Sequence, residues 1–303
     1  MDKNKQKQDK NFNYNYSNYE AEVKNMRRKN DNIFYFGSTL TLLLGILIYY
    51  LIEKYYVSYK EIIPPSEIIR PLSDKRSYKL IKLHTGLEVL LIHDPETKIS
   101  ASALVADSGS IHDITSGMAH LCEYMLFSGS KKYPSPTEFK DNLKKFNGLY
   151  NSFTTKDKTL YYFEIKNNGF IEQFNIFSSH FDKPIFNKTY IDREVKKINL
   201  EHEKHKKNDE FVTDFIVKNE GNKESPFTKF ECGNDETLIN IKDKLRKELI
   251  FYFENFYTND NMKLVVYSNY TIENLTKLVE DNFISGFVAK SPKLKCQNKL
   301  SAE

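Results

Sequence analysis

The chain has 303 residues, 40% of them apolar and 28% charged, and its 45 basic and 41 acidic residues leave a net charge of +4. That length can bury a sizeable core, and a near-balanced charge without a concentrated basic face gives no basis for a nucleic-acid partner. Cys122, Cys232 and Cys296 lie far apart with no CxxC pair, which argues against a disulfide framework or a cysteine-rich zinc module.

Residues 1–32 are polar and aperiodic and read as a disordered tail. Residues 33–52 carry no charge, and about 20 apolar residues is the length a helix needs to cross a bilayer. A cleaved signal peptide and a buried core helix compete with that reading. The long polar lead disfavours the first, and the flanking Tyr49, Tyr50, Tyr55 and Tyr56 suit a membrane interface better than a core. Lys24, Arg27, Arg28 and Lys29 outweigh Lys54 and Lys60, so a single-pass anchor with a cytoplasmic N-terminus is expected. The following domain would then lie on the lumenal or extracellular side. Sequons at Asn15, Asn187, Asn269 and Asn274 fall on both sides of the span and do not discriminate.

Residues 53–74, with Pro64, Pro65 and Pro71, read as a linker, and 75–290 as one globular domain followed by a 291–303 tail. Within the domain, Tyr78–Leu83 and Leu87–His93 read as two strands joined by a Thr85–Gly86 turn, and Ile99–Ala106 is a third. A helix spans about 116–127 and a second runs to about Phe146. Leu149–Thr154 and Thr159–Ile165 suggest a hairpin. Helices follow at about 169–181 and 189–208, then a loop around Ser225–Gly233 and another helix to about Tyr257. Met262–Tyr267 is a strand and 272–283 a last helix. Locally paired strands and clustered helices predict an α+β fold, a mixed, largely antiparallel sheet packed against helices.

The chemistry centres on His120-Leu121-Cys122-Glu123-Tyr124, early in the first helix. The template is H-x-x-E-H. Histidines at i and i+4 share a helical face and can bind one zinc, while the glutamate at i+3 reaches a bound water. A His and a Glu three apart are common on helix surfaces, so the pair means little alone. Its company gives it weight. Gly109-Ser110, Asp113 and Gly117 precede it; Met125-Leu126-Phe127, Gly129, Lys131-Lys132-Tyr133-Pro134, Asn151, Phe153-Thr154 and Tyr161-Tyr162-Phe163 follow. Arg193-Glu194-Val195, Glu201-His202-Glu203-Lys204 and Pro226-Phe227 come later, in order.

This series, from about Tyr78 to Phe287, resembles the N-terminal catalytic domain of the insulysin/pitrilysin family, the inverted zincins. The resemblance implies zinc metalloendopeptidase activity, with His120 as first zinc ligand, Glu123 as general base and Glu201 as the distant carboxylate ligand. Glu194, about two turns before Glu201, matches a carboxylate that orients the ligands. Asn151, Ser152 and their strand match the edge on which the family lays its peptide substrate by β-augmentation.

Two departures follow. Position 124 is tyrosine where the family has its second zinc-binding histidine, and a phenol with a pKa near 10 is a poor ligand at neutral pH. His202 adjoins Glu201 but points about 100° away; His112 precedes the helix and stays open as a substitute. The family also completes its site with a C-terminal half, so the expectation is that this half is a separate partner chain, that the gene is truncated, or that the domain serves something other than proteolysis. The expectation is an insulysin-like, membrane-anchored domain with Zn2+ binding and catalysis impaired. An active peptidase completed by a partner half, and a membrane-tethered structural or partner-binding subunit, are the alternatives.

Overall fold

The computed structural model describes residues 58–283 apart from 223, 224, 226, 227 and 240, together with 21, 24–29, 35, 39 and 41–48. The chain divides into two compact units, Met1–Val57 and Ser58–Glu303. In the first, residues 24–29, inside the stretch read as a disordered tail, are helical, as are 41–48 within the expected span. The rest of the 1–32 tail, half of the 33–52 span, and 284–303 lie outside the described residues. Among the described residues no helix is long and apolar enough to cross a membrane.

The second unit is built on a seven-stranded sheet in the order β1-β2-β3-β7-β4-β6-β5. Its strands are β1 (Tyr59–Ile63), β2 (Ser77–Leu83), β3 (Glu88–His93), β4 (Ile99–Ala106), β5 (Leu149–Thr154), β6 (Thr159–Lys166) and β7 (Met262–Ser268). Every pairing is antiparallel except β3 with β7, the mixed α+β architecture expected. The strand period of two puts one face inward. Ile81, Leu83, Val89, Leu91, Leu104, Tyr161, Phe163, Leu264 and Val266 are buried there.

Among the described residues of this unit eight α-helices are formed: α1 (Met118–Leu126), α2 (Glu138–Lys145), α3 (Phe170–Asp182), α4 (Lys188–His205), α5 (Asp209–Glu220), α6 (Asp235–Ile239), α7 (Lys242–Phe256) and α8 (Ile272–Phe283). α8 packs on β2 and β3, α3 on β4 and β6, and α1 touches β5, α4 and α7. Aromatic rings fill the interior: Phe127 stacks on Phe139 with centroids 4.5 Å apart, and Phe163, Phe177 and Phe181 continue the cluster.

Two elements depart from expectation. Tyr59–Ile63, assigned to the linker, pairs antiparallel with β2 through Tyr59 and Leu83. It is a short, mostly exposed edge strand stopped by Pro64, and the prolines masked it in the sequence. The long helix expected over 189–208 breaks at Lys206, and α5 follows. The side chain of Asn208 accepts from the Glu210 and Phe211 N–H groups, and Asp209 and Glu210 sit in the first turn, a standard helix start.

α1 begins at Gly117, which has φ +89. The buried Asp113 carboxylate accepts from the N–H groups of Gly117 and Ala119, at 2.9 and 2.8 Å. Burial nevertheless pushes Asp113 up to about 7, against the pull of those donors.

Beneath α1, His180 lies edge-on to Phe127 and Phe139 with its Nδ1 unbonded. Burial lowers its pKa from 6.5 to about 3. The folded state keeps this imidazole neutral, so its contribution is complete above pH 6.5 and is lost as pH falls toward 3. A His180→Leu variant should show a flatter acid branch in urea-unfolding midpoints measured between pH 7.5 and 5. The opposite slope from Asp113, stability falling as pH rises toward 7, should persist in both proteins.

Candidate active-site cleft

α1, α4, the end of β5 and the loop before α6 enclose a cleft of about 410 Å³. It is lined by His120, Glu123, Tyr124, Asn151, Ser152, Phe153, Thr154, Glu201, His205, Phe211, Glu231 and Cys232. Five of the seven residues singled out from the sequence for chemistry or substrate contact are therefore brought together with Tyr124, and only Glu194 is not in the lining. The i, i+3, i+4 spacing along α1 turns His120, Glu123 and Tyr124 to one side, and α4 presents Glu201 opposite.

His120 is held by a backbone carbonyl. Its Nδ1 donates to the Cys232 oxygen at 2.8 Å, which turns Nε2 toward Glu201, 3.6 Å from Oε2. The carbonyl arrives there because two glycines touch. A Cβ added to Gly233, at φ +71, would stand 2.7 Å from the Gly117 Cα. Neither position tolerates a side chain, so loop and helix start meet backbone to backbone. The structure thus assigns the orienting partner of His120 to the loop.

Glu194 lies outside the lining of this cleft. Its buried carboxylate is paired with Arg193 at 2.8 Å and Lys197 at 2.8 Å. It lines a smaller neighbouring hollow of about 210 Å³ with Tyr124 and Ser152. Its hydrogen bonds among the described residues come from Arg193 Nε and Lys197 Nζ.

Glu123 is 7% exposed and accepts from Thr154 Oγ1 at 2.7 Å. Tyr124 donates its hydroxyl proton to Glu201 Oε2 at 2.8 Å. Burial, and then that bond and the surrounding carboxylates Glu201, Glu123 and Glu194, hold the phenol well above its ordinary pKa of 10. It stays a donor across the physiological range. Neither other histidine takes its place. His112 packs on Phe256 and accepts at Nδ1 from the Gly109 N–H. His202 turns away toward Phe211 and Phe230. His205, one turn beyond Glu201, lines the cleft against Phe211; the sequence reading passed over it.

β5 is the outermost strand at its end of the sheet, paired on one side with β6, so its other edge is open beside the cleft. Asn151 and Phe153 are exposed on it.

Residues 88–228 match the family model for insulinase, peptidase family M16, and residues 244–301 that for the peptidase M16 inactive domain. Insulin-degrading enzyme of Bos taurus is 35% identical over 218 residues, 70% of this chain and 21% of its own length. The A-factor-processing enzyme of Saccharomyces cerevisiae is 33% identical over 223 residues, 72% of this chain and 22% of its own. The crystal structure of pitrilysin matches with a TM-score of 0.71 at 31% identity, covering 76% of this chain and 25% of that one. This chain belongs to the insulysin/pitrilysin family. It spans about a fifth of the length of the curated relatives it matches.

The family is one of zinc proteases; a relative in Schizosaccharomyces pombe, 35% identical, carries that activity in its name. The donors here do not fit a catalytic zinc. Such a site takes three protein ligands, and His120 with Glu201 supplies two. Tyr124 offers a protonated oxygen whose hydrogen is committed to the very carboxylate a metal would use. Among the described residues no three His, Cys, Asp or Glu side chains converge on a point that could hold a metal ion.

The glycine contact gives a direct test. Gly233→Ala should lower the melting temperature, the left-handed backbone alone costing about 1 kcal/mol or more. In the NMR spectrum of the variant, His120 should lose the single tautomer that the Cys232 carbonyl selects.

Proposed function

We propose that this insulysin-like domain binds an extended peptide along the open edge of β5 without cleaving it. The observation that carries this reading is the 2.8 Å hydrogen bond from Tyr124 to Glu201. It ties up the distant carboxylate and leaves only two of the family's ligands. The peptide would add as a strand beside Asn151 and Ser152, its main chain bonding to free N–H and C=O groups and its side chains alternating into and out of the cleft. The uncharged 33–52 stretch and the basic residues before it support tethering to a membrane by a single span, with the N-terminus cytoplasmic and the domain on the lumenal or extracellular side.

A second reading has its own support. His120, Glu123 and Glu201 remain gathered in one cleft, as an active endopeptidase would need once a partner chain supplied a C-terminal half and a third ligand.

Zinc binding separates the two. Full-length protein and its Tyr124→His variant should be titrated with Zn2+ by isothermal calorimetry. The expected result is a zinc affinity at least about 100-fold higher in the variant, the effect of restoring a third ligand. Equally tight binding of one zinc by the unaltered protein would overturn the non-hydrolytic reading and favour the second.

A further inference from the structure

Around the cleft, the carboxylates are matched unequally. Glu194 has Arg193 and Lys197, both at 2.8 Å. Glu231 has Lys218 at 2.9 Å and Lys156 at 4.0 Å. Glu123 and Glu201 have no lysine or arginine among the described residues. Glu123 is more than nine-tenths buried, at 7% exposure, lines the cleft, and has as its one hydrogen bond the Thr154 hydroxyl. Glu201 accepts from Tyr124, and its nearest basic group is His120 Nε2 at 3.6 Å. Glu201 is one third exposed, but a carboxylate as far removed from water as that of Glu123 is costly unless a positive charge meets it. Where a cation is bound at such a site, it is the largest local charge and supplies the match. With Tyr124 in place, the protein's own side chains cannot hold a metal there.

We propose that the ligand brings the missing charge: the cleft selects a peptide carrying a lysine or arginine side chain, whose cationic head enters between Glu123 and Glu201. This rests on the peptide-binding reading above and adds to it the class of residue recognised. The walls suit such a side chain. Tyr124, Phe153 and Phe211 offer ring surface for the methylene stem and for a guanidinium face. Glu123 and Glu201 offer acceptors that a forked donor can share. A cavity of about 410 Å³ accommodates one long side chain with room for water. Glu231, already compensated by its lysines, is not required.

The test uses the full-length protein and four fluorescein-labelled peptides, Thr-Val-Thr-X-Val-Thr-Val with X as arginine, lysine, glutamine or glutamate, followed by fluorescence anisotropy. The arginine and lysine peptides should bind about 10-fold tighter than the glutamine peptide, the usual worth of a charge-assisted bond in a sheltered site. The glutamate peptide should bind most weakly. Glu123→Gln and Glu201→Gln should each shrink the arginine-to-glutamine ratio toward one. Equal binding of the arginine and glutamine peptides to the unaltered protein would overturn charge selection and leave the peptide groove standing. No binding of any of the four would overturn both. The comparison on the unaltered protein needs no variant to fold.

Discussion

The hydroxyl of Tyr124 reaches across from α1 to α4 and gives its proton to Glu201. Everything distinctive about the site depends on that bond. It joins the two helices that carry the family's catalytic residues, so the cleft keeps its walls without a metal to cross-link them. It also fixes the protonation pattern: the phenol is a donor, the carboxylate its acceptor, and His120 faces the same oxygen from the other side. A histidine at position 124 would present a lone pair instead of a proton. One side chain therefore changes the cleft from a set of metal ligands into a set of hydrogen-bonded neighbours.

Much of this was legible in the sequence, for identifiable reasons. β2, β3, β4, β6 and β7 are short runs rich in apolar and β-branched or aromatic residues bounded by turns, a signal that survives without knowledge of the partners, and in β4, β6 and β7 burial alternates because the sheet buries one face. His120, Glu123 and Tyr124 share a face by helix geometry alone. What stayed hidden was set by contacts distant in sequence. β1 is named by its pairing with β2, since its own residues are mostly exposed and a proline pair follows. The Cys232 carbonyl has no side-chain signature, and only the positive φ of Gly233 betrays why the loop comes so close. Glu194 stands in register with Glu201, yet Arg193 and Lys197 capture it, a choice helical spacing cannot make.

The cleft does not end at the site histidine. A second hollow, about 430 Å³, lies between the end of α4, α5 and the loop before α6, and it shares Phe211, Glu231 and Cys232 with the first. His202 is buried at its edge against Phe211 and Phe230. α5 itself buries no residue fully, and Phe215, Ile216 and Val217 remain exposed. The hollow beyond Glu201 therefore mixes the rings of Phe211, Phe215 and Phe230 with the charged Asp214, Lys218, Glu231 and Glu236.

The parallel pairing of β3 with β7 has a consequence for how the chain is made. β7 lies in the middle of the sheet, between β3 and β4, although it comes near the end of the unit in sequence. Until the ribosome has released residues 262–268, β3 and β4 must each present a bare edge, and the sheet remains two separate antiparallel pieces, β1-β2-β3 and β4-β6-β5. Such late, long-range closure is slow and leaves nascent edges open to wrong partners. Residues 262–268 must thus be available before this sheet can close, which makes the two waiting edges natural clients for chaperones that shield exposed strands.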